Sequence, residues 1–249
     1  MRKWFWVVLC VLVLHLGGGQ AFAGLKVYDP YVEKKEMEFE ARGNIDFDKD
    51  ARKDNLQKQK YGLGYGVTDH WFTEVYGEVE KKYNDDGEDL NFKFTEVEWE
   101  NKFQLTEPGK YPVDVGFLLE YGISAEDKHA DKLEWALLLD KDIGKVENIA
   151  NLILEHEVGG GHKNETEGGF AWASLYSVNY HFKPGFEYYA DFGGLNGGKS
   201  FDEQKHQIGP VLHGNIVRHF SYDIGYLFGV SDAAPQGELK WIVEMAHDF

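Results

Sequence analysis

The sequence predicts an all-β fold, a transmembrane antiparallel up-and-down β-barrel of about twelve strands. Apolar and polar residues alternate with a period of two along segments of about ten residues, which is the pattern of a membrane-spanning strand. Short and long connections alternate between these segments, as expected of tight turns at one end of a barrel and longer loops at the other. The mean hydropathy of −0.48 agrees with this fold, because only every second residue of such a strand meets lipid.

The N-terminal region, residues 1–23, is predicted to be a cleaved secretory signal peptide. Arg2 and Lys3 form its charged start, residues 4–16 form its apolar core, and Ala21-Phe22-Ala23 is a small-x-small cleavage site. A membrane anchor is the alternative, but the apolar run is short for a span. Cleavage leaves a predicted barrel domain of residues 24–249 and removes Cys10, the only cysteine. Disulfide and thiol chemistry are therefore not expected in the mature chain.

The predicted strands follow the signal peptide in an unbroken series. In the first six, the outward apolar positions are every second residue of 37–47, 61–67, 71–79, 97–105, 113–123 and 133–139. In the last six they fall within 150–154, 170–180, 186–192, 208–212, 220–228 and 239–249. Short turns are predicted near Asp69, Pro108, Gly144, Pro184 and Asn215, and longer loops begin near Asp48, Asn84, Ala125, Gly159, Gly193 and Ser231. A soluble β-sandwich would also alternate, but it would not predict this uniform strand length or this rhythm of connections.

The last strand runs to the end of the chain and stops on an aromatic residue, Phe249. In this ending the chain resembles Gram-negative outer-membrane barrels of the porin-like superfamily. The stretches YGVTDHWFTEVYGE, TEVEWENKFQLTEPGKY, DKLEWALLLDKDIG and GYLFGVSDAAPQGELKW look like those of a group of small barrel proteins of about twelve strands, to which no established activity is attached. The resemblance implies a place in the cell outer membrane of a Gram-negative bacterium, with both termini in the periplasm. It also implies contact with outer-membrane lipid and lipopolysaccharide, and recognition of Phe249 by the barrel-assembly machinery.

The polar face of the predicted strands would line the lumen, and this face is strongly acidic. Its basic residues are fewer: Arg42, Lys102 and Lys240 share the face, and Lys58 and Lys60 are expected near its rim. The predicted lumen residues are Glu36, Glu38, Glu40, Arg42, Glu74, Glu78, Glu96, Glu98, Glu100, Lys102, Asp114, Glu120, Glu134, Glu155, Glu187, Asp191, Asp223 and Glu244.

A wall of carboxylates attracts cations and repels anions, so the acidic face predicts a passive channel for small solutes with a preference for cations. The alternative is a non-conducting structural or adhesive barrel, filled by side chains and acting through its outer loops. Close pairing of the lumen glutamates with basic residues would favour this alternative, whereas unpaired carboxylates around water would favour the channel. The formal charge is −17, and loss of Arg2 and Lys3 with the signal leaves about −19. Nucleic acid is therefore excluded as a partner, because it requires a basic face. The oligomeric state is not specified by any of these patterns.

Two further kinds of site, a divalent-cation site and an enzyme active site, are not predicted. The triplets Glu36-x-Glu38-x-Glu40 and Glu96-x-Glu98-x-Glu100 could attract a divalent cation, but this spacing occurs in any acidic strand. A lipid-modifying enzyme would need a paired serine and histidine, and Ser177 and His181 would lie about 13 Å apart on one strand. We therefore predict no catalytic residues, no resident metal and no cofactor.

Overall fold

Twelve β-strands form one closed antiparallel barrel in the computed structural model, which describes residues 25–82, 91–125, 129–159 and 165–248. Each strand pairs with its neighbours in the chain, and the last strand pairs with the first. The predicted all-β barrel and its strand number are confirmed. The predicted signal peptide, the loop that begins near Asn84, parts of the loops that begin near Ala125 and Gly159, and the assembly residue Phe249 lie outside the described residues.

The strands contain between 10 and 13 residues. They are β1 Glu36–Phe47, β2 Gln57–Thr68, β3 Trp71–Lys81, β4 Lys93–Gln104, β5 Asp114–Ser124, β6 Asp131–Ile143, β7 Val146–Val158, β8 Thr166–Tyr176, β9 Lys183–Gly194, β10 Lys205–Val217, β11 Phe220–Gly229 and β12 Gly237–Asp248. A short 3-10 helix, Phe201–Glu203, precedes β10. Across the described ranges, no helix has the length and apolar character needed to cross a bilayer.

The barrel closes between β1 and β12, where Glu36 lies opposite Asp248 and Phe47 lies opposite Gly237. The start of β1 and the end of β12 are therefore at one end of the barrel, which we call the turn end. The connections 69–70, 105–113, 144–145, 177–182 and 218–219 lie there. We call the opposite end, where the first strand ends and the last begins, the loop end.

Three connections at the turn end differ from the predicted turns. The turn predicted near Pro184 lies at residues 177–182, where the Asn179 side chain accepts a hydrogen bond from the His181 N–H at 2.8 Å. A side chain that bonds two residues ahead makes its own turn, so β9 already begins at Lys183. The turn predicted near Asn215 lies at 218–219, where His219 has a φ of 69°. The short turn predicted near Pro108 is part of the longer connection 105–113.

The two faces of the wall differ in the way that a bilayer requires. Apolar side chains such as Leu63, Val75 and Trp99 project outward and are exposed. Glu74 and Glu98, which neighbour two of these residues in the chain, point inward and are buried. Because lipid offers no hydrogen-bond partners, the outer surface carries the apolar set and the inner surface the charged set.

Residues 25–33, which we call the inner segment, lie inside the barrel and not in its wall. Leu25 packs against inward residues of the wall, among them Ala171 and Leu227. Near the other end of the segment, a Cβ added at Gly66 would lie 1.9 Å from the Glu33 carbonyl oxygen. Gly66 is close to the turn end of β2. The segment therefore enters the barrel at the turn end, and Leu25 lies further toward the loop end. No pattern considered above predicted this arrangement.

Candidate functional site in the barrel lumen

The eighteen predicted lumen residues all lie in the described part of the chain, and none of them is exposed. Eleven are buried: Glu40, Arg42, Glu74, Glu78, Glu98, Glu100, Asp114, Glu120, Glu134, Glu187 and Asp223. The other seven are half-buried: Glu36, Glu38, Glu96, Lys102, Glu155, Asp191 and Glu244. Their part in conduction stays a prediction, but their surroundings determine which roles are physically reasonable.

One group of buried charges is centred on Lys60 of β2. Its Nζ contacts both carboxylate oxygens of Glu98 on β4, with Oε2 at 2.5 Å, and lies 3.6 Å from Glu78 on β3. Lys58 Nζ lies 2.8 Å from the same Glu78 carboxylate. Lys60, which was expected near the rim, is 1% exposed and is buried among carboxylates. The strand β2 begins at Gln57, earlier than predicted, and this places Lys60 inside the wall.

A second group of charges is centred on Lys240 of β12. Its Nζ lies 2.5 Å from Glu187 Oε2 on β9 and 2.7 Å from Asp223 Oδ2 on β11. The Tyr189 hydroxyl completes its contacts at 3.0 Å. His213 of β10 reaches the other oxygen of Glu187 through Nε2, at 2.9 Å. Lys240 is therefore enclosed by wall strands and lies between two carboxylates, only one of which its single charge can neutralise.

Tyr28 anchors the inner segment at the middle of the barrel. Its backbone N–H donates to Asn151 Oδ1, and Asn151 Nδ2 donates back to the Tyr28 carbonyl, both at 2.8 Å. The Tyr28 hydroxyl donates to Glu100 Oε2 at 2.8 Å and accepts from Arg42 Nη1 at 2.9 Å. Its ring packs against Leu118 and other apolar inward residues. Both backbone groups of Tyr28 are thus paired, as a buried peptide requires.

The inner segment also carries charge into the lumen. Lys26 Nζ contacts the Glu40 carboxylate and lies 3.0 Å from Glu244 Oε1. Closer to the turn end, Lys102 lies 3.3 Å from Asp29. The segment therefore supplies a cation to two glutamates of the wall and an anion to one of its lysines.

Polar contacts continue to the point where the chain leaves the lumen. The Tyr31 hydroxyl donates to Asp114 Oδ2 at 3.0 Å, and the Val32 N–H donates to Gln104 Oε1 at 2.9 Å. Outside the barrel, Lys34 bonds to Asp69 at 3.0 Å in the β2–β3 turn, and this hydrogen bond lowers the pKa of Asp69. The segment is thus held along its whole length and not by one contact.

Little space is left at the middle of the barrel. The cavity between Tyr28, Arg42, Lys60 and Glu120 measures about 10 Å³, which is close to the least that holds one water molecule. At the turn end a wider cavity of about 200 Å³ opens, lined by His213, among other residues. In the described residues the lumen is therefore wide at the turn end and narrow at its middle, where Tyr28 lies beside Arg42 and Lys60.

The inner segment was missed because sequence patterns show which way a side chain points but not what it meets. A signal was present nonetheless. The strands β5 to β8 carry small or apolar residues on their inward face as well, including Leu118, Ala136, Leu138 and Ala171, all buried. A wet lumen has no reason to carry such residues, whereas a packed one needs them.

The structure also locates the residues considered for metal and enzyme chemistry. Carboxylate oxygens of Glu96 and Glu98 meet that of Glu120, and those of Glu38 and Glu40 meet that of Glu244. These sets draw on two or more strands, so the triplets within single strands do not act as units. His181 is the histidine considered for the enzyme alternative, and its Nδ1 lies 2.6 Å from the Asn215 carbonyl oxygen. Because this partner is not a serine, the contact does not support that alternative.

Comparisons with known proteins do not assign the chain to a family. No family model matches the chain, and a search of curated proteins finds no match. Among solved structures, the translocator domain of the autotransporter NalP from Neisseria meningitidis is 9% identical, with a TM-score of 0.46 over 86% of this chain and 88% of that one. The outer membrane channel DcaP of Acinetobacter baumannii is 10% identical, with a TM-score of 0.37 over 93% and 100%. Salmonella typhi OmpF in complex with daunomycin is 9% identical, with a TM-score of 0.36 over 85% and 96%.

Scores this low carry no argument about activity, and the assignment rests on the barrel itself. Its strands close without a free edge, its outer wall is apolar and its interior is charged. These features identify the chain as a transmembrane β-barrel of the outer-membrane type.

Proposed function

We propose that this protein is a closed barrel of the Gram-negative outer membrane, whose lumen is a structural core and not a permanently open path. The observation that carries the proposal is the inner segment, which occupies the middle of the lumen and is bonded to the wall on several sides through Tyr28. A cavity of about 10 Å³ at this height is too small for hydrated ions. This proposal corresponds to the non-conducting structural barrel, which is the alternative to the cation channel predicted from the sequence.

The pairing of the lumen charges supports the same proposal. A cation-selective wall needs carboxylates that face water, because a carboxylate already neutralised by a lysine attracts a passing cation only weakly. Here Lys60 neutralises Glu98, Lys240 neutralises Glu187, and Lys26 neutralises Glu40. Buried cations thus neutralise part of the acidic wall, and the excess of acidic residues does not by itself imply conduction.

A gated, cation-preferring channel for small solutes is the second candidate, and one observation favours it. The inner segment is not a strand of the wall, so it can leave without breaking a strand pair. Its departure would expose Glu40, Glu100 and Asp114 to the lumen and extend the 200 Å³ cavity of the turn end upward. The released path would be acidic, and a preference for cations would follow from it.

Conductance in a planar bilayer separates these candidates. Two refolded chains are compared under a salt gradient: the mature chain, and a variant that lacks residues 25–33. Both are first checked for heat-modifiable migration, which reports a folded barrel. We expect the mature chain to be silent. Discrete cation-selective steps from the deletion variant alone would identify a gated channel, and silence from both would leave the structural barrel. Sustained steps from the mature chain would overturn the proposal.

A further inference from the structure

We propose that Glu187, His213 and Asp223 form a binding site for one divalent transition-metal ion, such as Zn²⁺, at the turn-end cavity. The site is independent of conduction, because its residues belong to the wall and not to the inner segment. It is also distinct from the acidic sets of the lumen, because it combines an imidazole nitrogen with two carboxylates from three consecutive strands, β9, β10 and β11.

The three ligand atoms lie within 4.8 Å of one another, and two of their distances are close to those of a metal site. His213 Nε2 lies 2.9 Å from Glu187 Oε1 and 3.3 Å from Asp223 Oδ1. A tetrahedral ion with bonds of about 2.0–2.1 Å places its donors about 3.3 Å apart. The cross-strand pairing of His213 with Asp223 fixes one of these distances through the backbone, so the site does not depend on a mobile loop.

One of the three ligand atoms is a buried oxygen without a hydrogen-bond partner, and a metal ion would bind to it. Asp223 is 8% exposed, and its Oδ1 accepts no hydrogen bond among the described residues. The reason is stoichiometric: His213 Nε2 can carry only one hydrogen, and Glu187 Oε1 is its hydrogen-bond partner. A cation placed between the three groups would satisfy both carboxylates at once. A buried acceptor without a partner is unfavourable, so the site gains by binding an ion.

Lys240 limits the charge of the site without occupying it. Its Nζ bonds to Glu187 Oε2 and Asp223 Oδ2, which are the oxygens turned away from His213. It therefore holds both carboxylates in place in the way that outer-shell partners orient metal ligands. A histidine must be neutral to ligate a metal ion. With His213 neutral, the two carboxylates and one ammonium group leave one excess negative charge, which a divalent ion more than neutralises.

Access and donor type define the class of ligand. His213 and Asp223 line the cavity of about 200 Å³ that opens at the turn end, whereas Glu187 is fully buried behind them. An ion can therefore enter from the turn end and keep one coordination position toward the cavity. The imidazole donor favours Zn²⁺ and related transition metals over Ca²⁺ and Mg²⁺, which prefer oxygen ligands alone.

Calorimetric titration of the refolded mature chain with Zn²⁺ at neutral pH tests the proposal. We expect one saturable equivalent, and we expect Co²⁺ at the same site to give the visible absorption of a tetrahedral complex. His213→Gln and the nearly isosteric Asp223→Asn should each weaken binding by at least about tenfold. Heat-modifiable migration shows whether each variant forms a folded barrel. If one variant folds poorly, the other still tests the proposal.

His206→Gln is the matched control. His206 lies on the same strand, stacked on Phe201 at 4.2 Å between ring centroids and away from the three donors. This variant should bind Zn²⁺ as the parent does. The proposal is overturned if the parent shows no saturable Zn²⁺ binding. It is equally overturned if folded His213→Gln and Asp223→Asn bind with unchanged affinity, since the ion would then be held elsewhere.

Discussion

Replacing Asn151 with leucine is expected to loosen the inner segment while leaving the barrel wall intact. Asn151 is fully buried on β7, and its side chain makes two hydrogen bonds of 2.8 Å to the backbone of Tyr28. Leucine is similar in size and fits beside the apolar residues that surround Tyr28. The substitution therefore removes the two hydrogen bonds with little change in packing.

The size of the effect follows from those two bonds. A neutral hydrogen bond contributes about 0.5–1.5 kcal/mol net, so the docked state of the segment should lose about 1–3 kcal/mol. This loss raises the population of the undocked segment about 5- to 150-fold. The wall keeps all of its strand pairs, so the free energy of unfolding of the barrel should change much less than the docking free energy.

Thiol labelling measures the undocked population directly. Leu25→Cys places a thiol at a site that is 6% exposed, and after the predicted loss of the signal, which contains Cys10, the chain carries no other cysteine. The labelling rate of this parent should rise about 5- to 150-fold when Asn151→Leu is added.

Asn148→Leu is the control for this experiment, since Asn148 lies on the same strand and bonds to Ser174, not to the segment. The rate should not change in the control. An Asn151→Leu rate within about twofold of the parent, on a folded barrel, would refute the proposed anchoring.

Three further predictions concern a buried ion pair, the docking of the inner segment and the lipid-facing wall. Lys60→Met should lower the free energy of unfolding by about 3–5 kcal/mol, because it leaves the buried carboxylate of Glu98 without a cation. Urea unfolding in lipid vesicles measures this loss. The double variant with Glu98→Gln should recover the lost stability. Gly66→Val should weaken docking of the inner segment by about 1–3 kcal/mol through overpacking, whereas Gly77→Val, where an added Cβ would meet only a ring atom at 3.3 Å, should leave thiol labelling unchanged. Val75→Lys on the outer wall should destabilise the barrel in vesicles by about 2–4 kcal/mol, and a smaller loss than 1 kcal/mol would mean that this face does not meet lipid.

The wall could be predicted from the sequence because lipid imposes a local rule. Every second residue of a strand must be apolar on the outside, and the resulting period of two is visible at Val75 as well as in each other strand. The strand number and the closed topology followed from counting such segments. Turn positions were less certain where a side chain sets the turn, as Asn179 does, because the alternation continues past the end of the strand.

The interior could not be predicted because its contacts link residues far apart in the chain. The bonds between Tyr28 and Asn151 join positions 123 residues apart, and no periodicity records which inward residue meets which. The sequence shows that Glu98 and Lys60 point inward, but only the register of β2 to β4 shows that they are partners. An excess of acidic residues predicted a cation path, whereas their pairing favours a core.

The measurement that tests the central claim most directly is a set of nuclear Overhauser contacts in the refolded, methyl-labelled mature chain. The account predicts contacts between the ring protons of Tyr28 and the methyl groups of Leu118, Ala136 and Leu138, which pack together at the middle of the barrel. If these contacts are absent while the strand amides show a folded barrel, and the Tyr28 resonances have the shifts and narrow lines of an unstructured peptide, the inner segment does not occupy the lumen. The barrel would then have to be treated as open.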